Sequence, residues 1–89
     1  MEKTYNLNII TPDKLVYAGQ ITSLTVPSSK GYLGVLANHD RLITDISRGQ
    51  ITLKEEAGQL KIFNFRGKGF LEVSRNNATL LLDSHPSPQ

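Results

Sequence analysis

Residues 31–49 read GYLGVLANHDRLITDISRG, two short apolar runs on either side of a polar knot, with glycines at Gly31, Gly34 and Gly49. Glycine inside β-prone sequence marks a tight turn or a close backbone approach, so the stretch reads as two strands, residues 32–36 and 42–46, joined by a corner. The knot Ala37, Asn38, His39, Asp40, Arg41 carries every polar group of that corner and the only histidine outside the tail.

The same strand signature runs outward from this corner in both directions. Tyr5, Leu7 and Ile9 alternate with Asn6 and Asn8, and residues 50–54, QITLK, alternate again, the period of a strand with one dry face. Thr11-Pro12-Asp13-Lys14 is a turn, and a short run over residues 15–18 is broken by Gly19. Residues 21–26 resume with Ile21 out of register, which predicts a bulge near Thr22 and Ser23. Residues 27–31 then form a loop, because proline cannot donate to a ladder. Glu55-Glu56-Ala57-Gly58 is a hairpin loop, Gly67-Lys68-Gly69 a bend, and Arg75-Asn76-Asn77 a tight turn suited to positive φ at the asparagines. No window holds helical apolar spacing, while about ten strand-like runs recur every 8 to 12 or so residues. The expected fold is all-β, a sandwich or flattened barrel of antiparallel strands, with Leu7, Val26, Ile51, Leu53 and Val73 in one shared layer. Residues 1–83 form the domain, and Ser84-His85-Pro86-Ser87-Pro88-Gln89 has the composition of a disordered Pro-rich tail.

Composition narrows the chemistry. An 89-residue chain makes one small domain, and its 38% hydrophobic content is that of a globular protein. With no cysteine there is no disulfide, thiolate zinc site or cysteine nucleophile. No apolar run approaches the roughly 20 residues that span a bilayer, and MEKTYN lacks a signal-peptide core, so a cytoplasmic setting is expected. A net charge of +2 permits an anionic partner without requiring one.

His39 and Asp40 are the obvious base and orienting carboxylate, with Thr44 or Ser47 as nucleophile, but neighbouring strand residues point to opposite faces and the arrangement favours a satisfied corner histidine. A metal site from His39, Asp40 and Asp45 is weaker still. Gly67-Lys68-Gly69 lacks the spacing and helix of a phosphate cradle. Arg66, Lys68 and Arg75 beside Phe63, Phe65 and Phe70 supply the alternative of a small β-barrel nucleic-acid-binding module, although three phenylalanines in a domain without tryptophan are more readily core.

The ordered motifs favour a different reading. Gly31-Tyr32-Leu33-Gly34, His39, Leu42-Ile43-Thr44 and Gly49 follow the G-x-L-G-x-x-x-x-H…L-L-T…G pattern of the epsilon subunit of F-type ATP synthases. Leu7 to Pro12 with Val16 to Gly19 resembles that family's first hairpin, and Gly69-Phe70-Leu71-Glu72-Val73 with Asn77, Thr79, Leu81 and Asp83 resembles its G-F-L-E-V ending. The resemblance covers nearly the whole chain and implies a flattened antiparallel β-sandwich of about ten short strands in two sheets, serving as a non-catalytic central-stalk subunit, without cofactor or metal, that links a gamma subunit to the membrane c-ring and couples proton or sodium flow to ATP synthesis. It implies gamma contacts at Thr11, His39, Arg41 and Thr44, and c-ring contacts at Ser28, Ser29, Lys30, Gly31 and Tyr32. It also implies a peripheral position on the cytoplasmic face of the inner membrane, with no nucleic-acid partner and no obligate homo-oligomer. The chain departs from the family at Ala37-Asn38 and Asp40-Arg41, where the family has Pro-Gly and Ala-Pro, and at Tyr32, where it often has glutamate. The helical hairpin that often follows this domain is expected to be absent.

Overall fold

The computed structural model describes residues 3–89, and the described residues form nine strands and no helix. In chain order these are β1 (Tyr5–Ile10), β2 (Leu15–Ser28), β3 (Gly31–Leu36), β4 (Leu42–Ile46), β5 (Gly49–Glu55), β6 (Leu60–Phe65), β7 (Gly69–Ser74), β8 (Asn77–Leu82) and β9 (Ser87–Pro88).

One strand makes the two layers continuous. β2 runs unbroken through Gly19, and its first half pairs with β1 while its second half pairs with β3 on one side and β5 on the other. The change of partner coincides with a register shift between Ile21 and Ser23, the expected bulge, which puts Ile21 and Thr22 both inside. The expected two sheets are therefore a single hydrogen-bonded ladder, β4-β7-β8-β1-β2-β5-β6-β9, with β3 on the side of β2. The ladder folds over its own core. The Ser47 amide, just after β4, donates to the Pro27 carbonyl at 2.9 Å, and Pro27 and Ser28 pair with Tyr32 and Gly31, so they belong to β2 and not to a loop.

Alternate residues from eight strands meet inside, including Leu7, Ile9, Leu24, Val26, Ile51, Leu53, Phe65, Leu71 and Leu80, each at most 1% exposed. Full burial of such a side chain contributes about 1.5–3 kcal/mol, so this layer supplies most of the driving force. Tyr5 lies in the same layer, and its hydroxyl donates to the Val35 carbonyl at 2.6 Å. Burial pushes that phenol well above its ordinary titration range.

Two expectations need correction. Not every pairing is antiparallel: β1 and β8 run parallel, Leu7 beside Ala78 and Ile9 beside Leu80, because β8 returns beside the first strand through the β7–β8 hairpin. That hairpin turns on positive φ at Arg75 and Asn76 rather than at both asparagines. The tail is also not disordered. Ser87 and Pro88 form β9 against Asn64 and Phe63, the Gln89 amide donates to Ile62, and Pro86 is buried. His85 holds the turn from the other side, its Nε2 3.0 Å from Asp13 Oδ1. Low apolar content hid this docking, since its partners are backbone groups and one polar turn.

Candidate interaction surface

The outer face of β4, β7, β8, β1 and β2 breaks the usual rule of polar residues outside. Register places Asp45, Phe70, Leu81, Ile10 and Leu15 in one row across the five strands, and Ile43, Glu72, Thr79, Asn8 and Ala18 in the next. Phe70 is 58% exposed, Leu81 48%, Leu15 56% and Ile43 67%. An antiparallel sheet with one wet face ordinarily carries polar residues at such positions. A contiguous apolar row of this kind marks an interaction site. At one end the row opens into a groove of about 640 Å³ with Phe70, Leu81 and Leu82 beside Asp45, Lys68 and Asp83.

The residues expected at contacts fall around this face in three groups. Thr11 follows β1 and is buried, its Oγ1 donating to Asp13 at 2.8 Å and lying 3.4 Å from His85 Nε2. The hydroxyl bond from Thr11 and then His85 lower the titration of Asp13. The His39 corner stands at the far end of β1, since the Asn38 amide donates to Asn76 Oδ1 and the Asn6 amide to the Asn76 carbonyl. Six strand residues separate these ends by about 20 Å. Arg41 is exposed there and His39 half-buried, with Asn38 at φ 63° making the turn. Thr44 pairs with buried Leu71 and so turns inward, leaving the outward places on β4 to Ile43 and Asp45. The structure thus separates Thr11 from His39 and Arg41, which lie at opposite ends of β1.

Ser28, Ser29, Lys30, Gly31 and Tyr32 come together as the β2–β3 turn. Asp45 fixes it by accepting the Ser29 amide at 3.0 Å and the Ser29 hydroxyl at 3.1 Å, while Ser28 Oγ donates to the Gly31 carbonyl at 2.6 Å. Gly31 sits at φ 113°, a conformation that disfavours any side chain. Tyr32 crosses Gly49, its hydroxyl accepting the Gln50 amide at 3.0 Å.

Neither chemical alternative is assembled. His39 Nδ1 bonds the backbone oxygen of Asp40 at 2.7 Å instead of its carboxylate, and among the described residues no three His, Cys, Asp or Glu side chains group as metal ligands. The stacking platform is also dispersed: Phe65 is buried, Phe63 is partly buried in the core, and Phe70 lies on the β7 outer face while Arg66 follows β6. The residues that sequence reasoning missed are Ile43, Phe70, Leu81, Ile10 and Leu15. Their signal was the unbroken apolar runs Ile9-Ile10, Phe70-Leu71 and Leu80-Leu81-Leu82, in which alternation demands an apolar residue on both faces.

The sequence profile of the family described as ATP synthase, Delta/Epsilon chain, beta-sandwich domain matches residues 4–86. The chain is 36% identical over 78 residues to an ATP synthase epsilon chain of Leptospira borgpetersenii, covering 88% of this chain and 60% of the relative. It is 38% identical over 84 residues to that of Latilactobacillus sakei, covering 92% and 57%. It therefore spans about three-fifths of the length of these curated relatives. The fold is shared with a chain of the Euglena gracilis mitochondrial ATP synthase, seen by cryo-EM as OSCP/F1/c-ring, at a TM-score of 0.87 and 18% identity over 96% of this chain and 53% of that one. A chain of the Tetrahymena thermophila mitochondrial ATP synthase central stalk/c-ring aligns at 0.70 and 11% identity over 93% and 66%. With the profile spanning nearly all of its length, this chain belongs to the ATP synthase delta/epsilon chain beta-sandwich domain family.

Proposed function

We propose that the chain is a non-catalytic central-stalk component of a rotary F-type ATP synthase, peripheral to the membrane, joining a gamma subunit to the c-ring. The observation that carries this reading is the outward apolar row Phe70, Leu81, Ile10 and Leu15 with Ile43 beside it. A rigid two-layer sheet with one apolar outer face is suited to being clamped to a rotating partner, because close-packed layers deform little. In this reading gamma covers that face, meeting the Thr11 turn at one end, His39 and Arg41 at the other, and at the β4 edge Ile43 with the backbone of inward-turned Thr44. The ring loops meet the β2–β3 turn, residues 28–32.

Thr11 enters by shaping its turn rather than by offering its hydroxyl, which Asp13 already takes. His39 offers Nε2, since Nδ1 bonds Asp40. Co-expression with a gamma subunit followed by size-exclusion chromatography tests the reading: the two chains are expected to co-migrate, and separate elution contradicts it.

A further inference from the structure

Arg48 precedes Gly49 and Arg66 follows Phe65, the last pair of the β5–β6 ladder, so the two arginines flank the same end of that ladder. Both are exposed, and among the described residues neither has a carboxylate within ion-pair distance. Two guanidinium charges lining one cleft repel each other, and an anion bridging them removes that penalty. The pair opens on a cleft of about 270 Å³ that also contains Tyr32, Gln50 and Asn64 and no acidic side chain.

The cleft is built around Tyr32. A side chain at Gly49 would come within 2.7 Å of the Tyr32 hydroxyl, so the glycine is what lets the ring lie there. That hydroxyl accepts the Gln50 amide, which leaves its own proton free to donate outward. Two guanidinium forks, one phenol and two side-chain amides therefore offer donors to one small volume.

We propose that this cleft takes a carboxylate side chain from an acidic loop of a partner polypeptide, with Arg48 and Arg66 bridging its oxygens and Tyr32 as a third donor. The partner's identity rests on the stalk reading: the cleft adjoins the turn assigned to the ring, so the acidic loop would belong to the c-ring. A lipid headgroup is the weaker fit, because adsorption to an anionic membrane surface draws on clusters of about four to eight basic residues, and here Lys30 alone joins the two arginines at the turn.

The full chain, isotope-labelled, is titrated with a cyclic peptide displaying Asp-Glu, with its Asn-Gln isostere, and with phosphatidylcholine vesicles with and without phosphatidylglycerol, while amide resonances are followed. The acidic peptide is expected to shift Tyr32, Gln50 and Asn64 in a salt-sensitive way, and the neutral peptide to leave them unmoved. Arg48→Gln and Arg66→Gln are each expected to weaken binding about tenfold with other resonances in place. The double variant Arg48→Glu/Arg66→Glu is expected to accept a Lys-Lys peptide instead. Equal response to both peptides, or wild-type affinity in the glutamine variants, overturns the site. Response to phosphatidylglycerol vesicles alone overturns the polypeptide in favour of a headgroup. Since none of these measurements uses gamma, a chain that fails to co-migrate with gamma yet binds the acidic peptide keeps the site and loses only the stalk assignment.

Discussion

Phe70 stands directly opposite Leu81 in the β7–β8 ladder, both on the outer face, while their chain neighbours Leu71 and Leu80 pair on the inner face and are fully buried. This parity gives a sharp contrast in stability. Phe70→Thr and Leu81→Thr keep strand propensity and shorten side chains that are about half exposed on the outer face, so each should change the free energy of unfolding by no more than about 1 kcal/mol. Leu71→Ala and Leu80→Ala open cavities and should cost about 2–5 kcal/mol each. Urea denaturation of the four variants reads the difference directly.

The hydroxyl of Tyr5 is the one polar atom that this residue brings into the core, and its bond to Val35 spans β1 and β3. Tyr5→Phe keeps the ring and removes the donor. The expected loss is about 1–2 kcal/mol, seen as a lower urea midpoint with an unchanged slope.

Gly49 lies at φ 155° with Pro27 and Tyr32 against the place a side chain would occupy. Gly49→Ala is expected to cost about 1–3 kcal/mol and to push Tyr32 off the Gln50 amide. Faster hydrogen exchange at Gln50 would report the displaced ring, and unchanged exchange would show that the contact is not what requires glycine.

Acid should loosen the tail before the core. The bond from Thr11 and the contact with His85 hold Asp13 below its ordinary value of 3.8. Because the folded state favours the ionised form, this contribution is present above that value and disappears as pH falls through the folded one. Asp13→Asn should therefore remove the acid-dependent part of β9 protection, measured as amide exchange at Gln89. On the alkaline side Tyr17 is pushed up to about 12 by burial and by Glu55, whose Oε2 accepts its hydroxyl at 2.8 Å. Stability from this group is complete below the ordinary value of 10 and is lost as pH rises toward 12, a loss that Tyr17→Phe should abolish.

Strand identity was legible in the chain because Tyr5, Leu7 and Ile9, or Ile51 and Leu53, repeat at the period of a pleat and meet in the core as that period requires. The bulge at Thr22 was visible as a break in the same parity. Layer topology was not, since the parallel β1–β8 pairing depends on tertiary contacts between segments seventy residues apart in sequence, roughly, and periodicity carries no partner information. The candidate surface was half legible. The turn over residues 28–32 is local and came together as expected, whereas the outward row Phe70, Leu81, Ile10 and Leu15 exists only once four strands are aligned. Pro86 and His85 misled for a similar reason: docking of the tail relies on the β6 edge and the Asp13 turn, and both are distant in the chain.

Gamma binding at the apolar outer face is tested most directly by co-migration of gamma with the Phe70→Thr/Leu81→Thr double variant in size-exclusion chromatography. The wild-type chain is expected to co-migrate, and the variant, folded to the same urea midpoint within about 1 kcal/mol per substitution, is expected to elute alone. A folded variant that still co-migrates at full stoichiometry would contradict the assignment of this face.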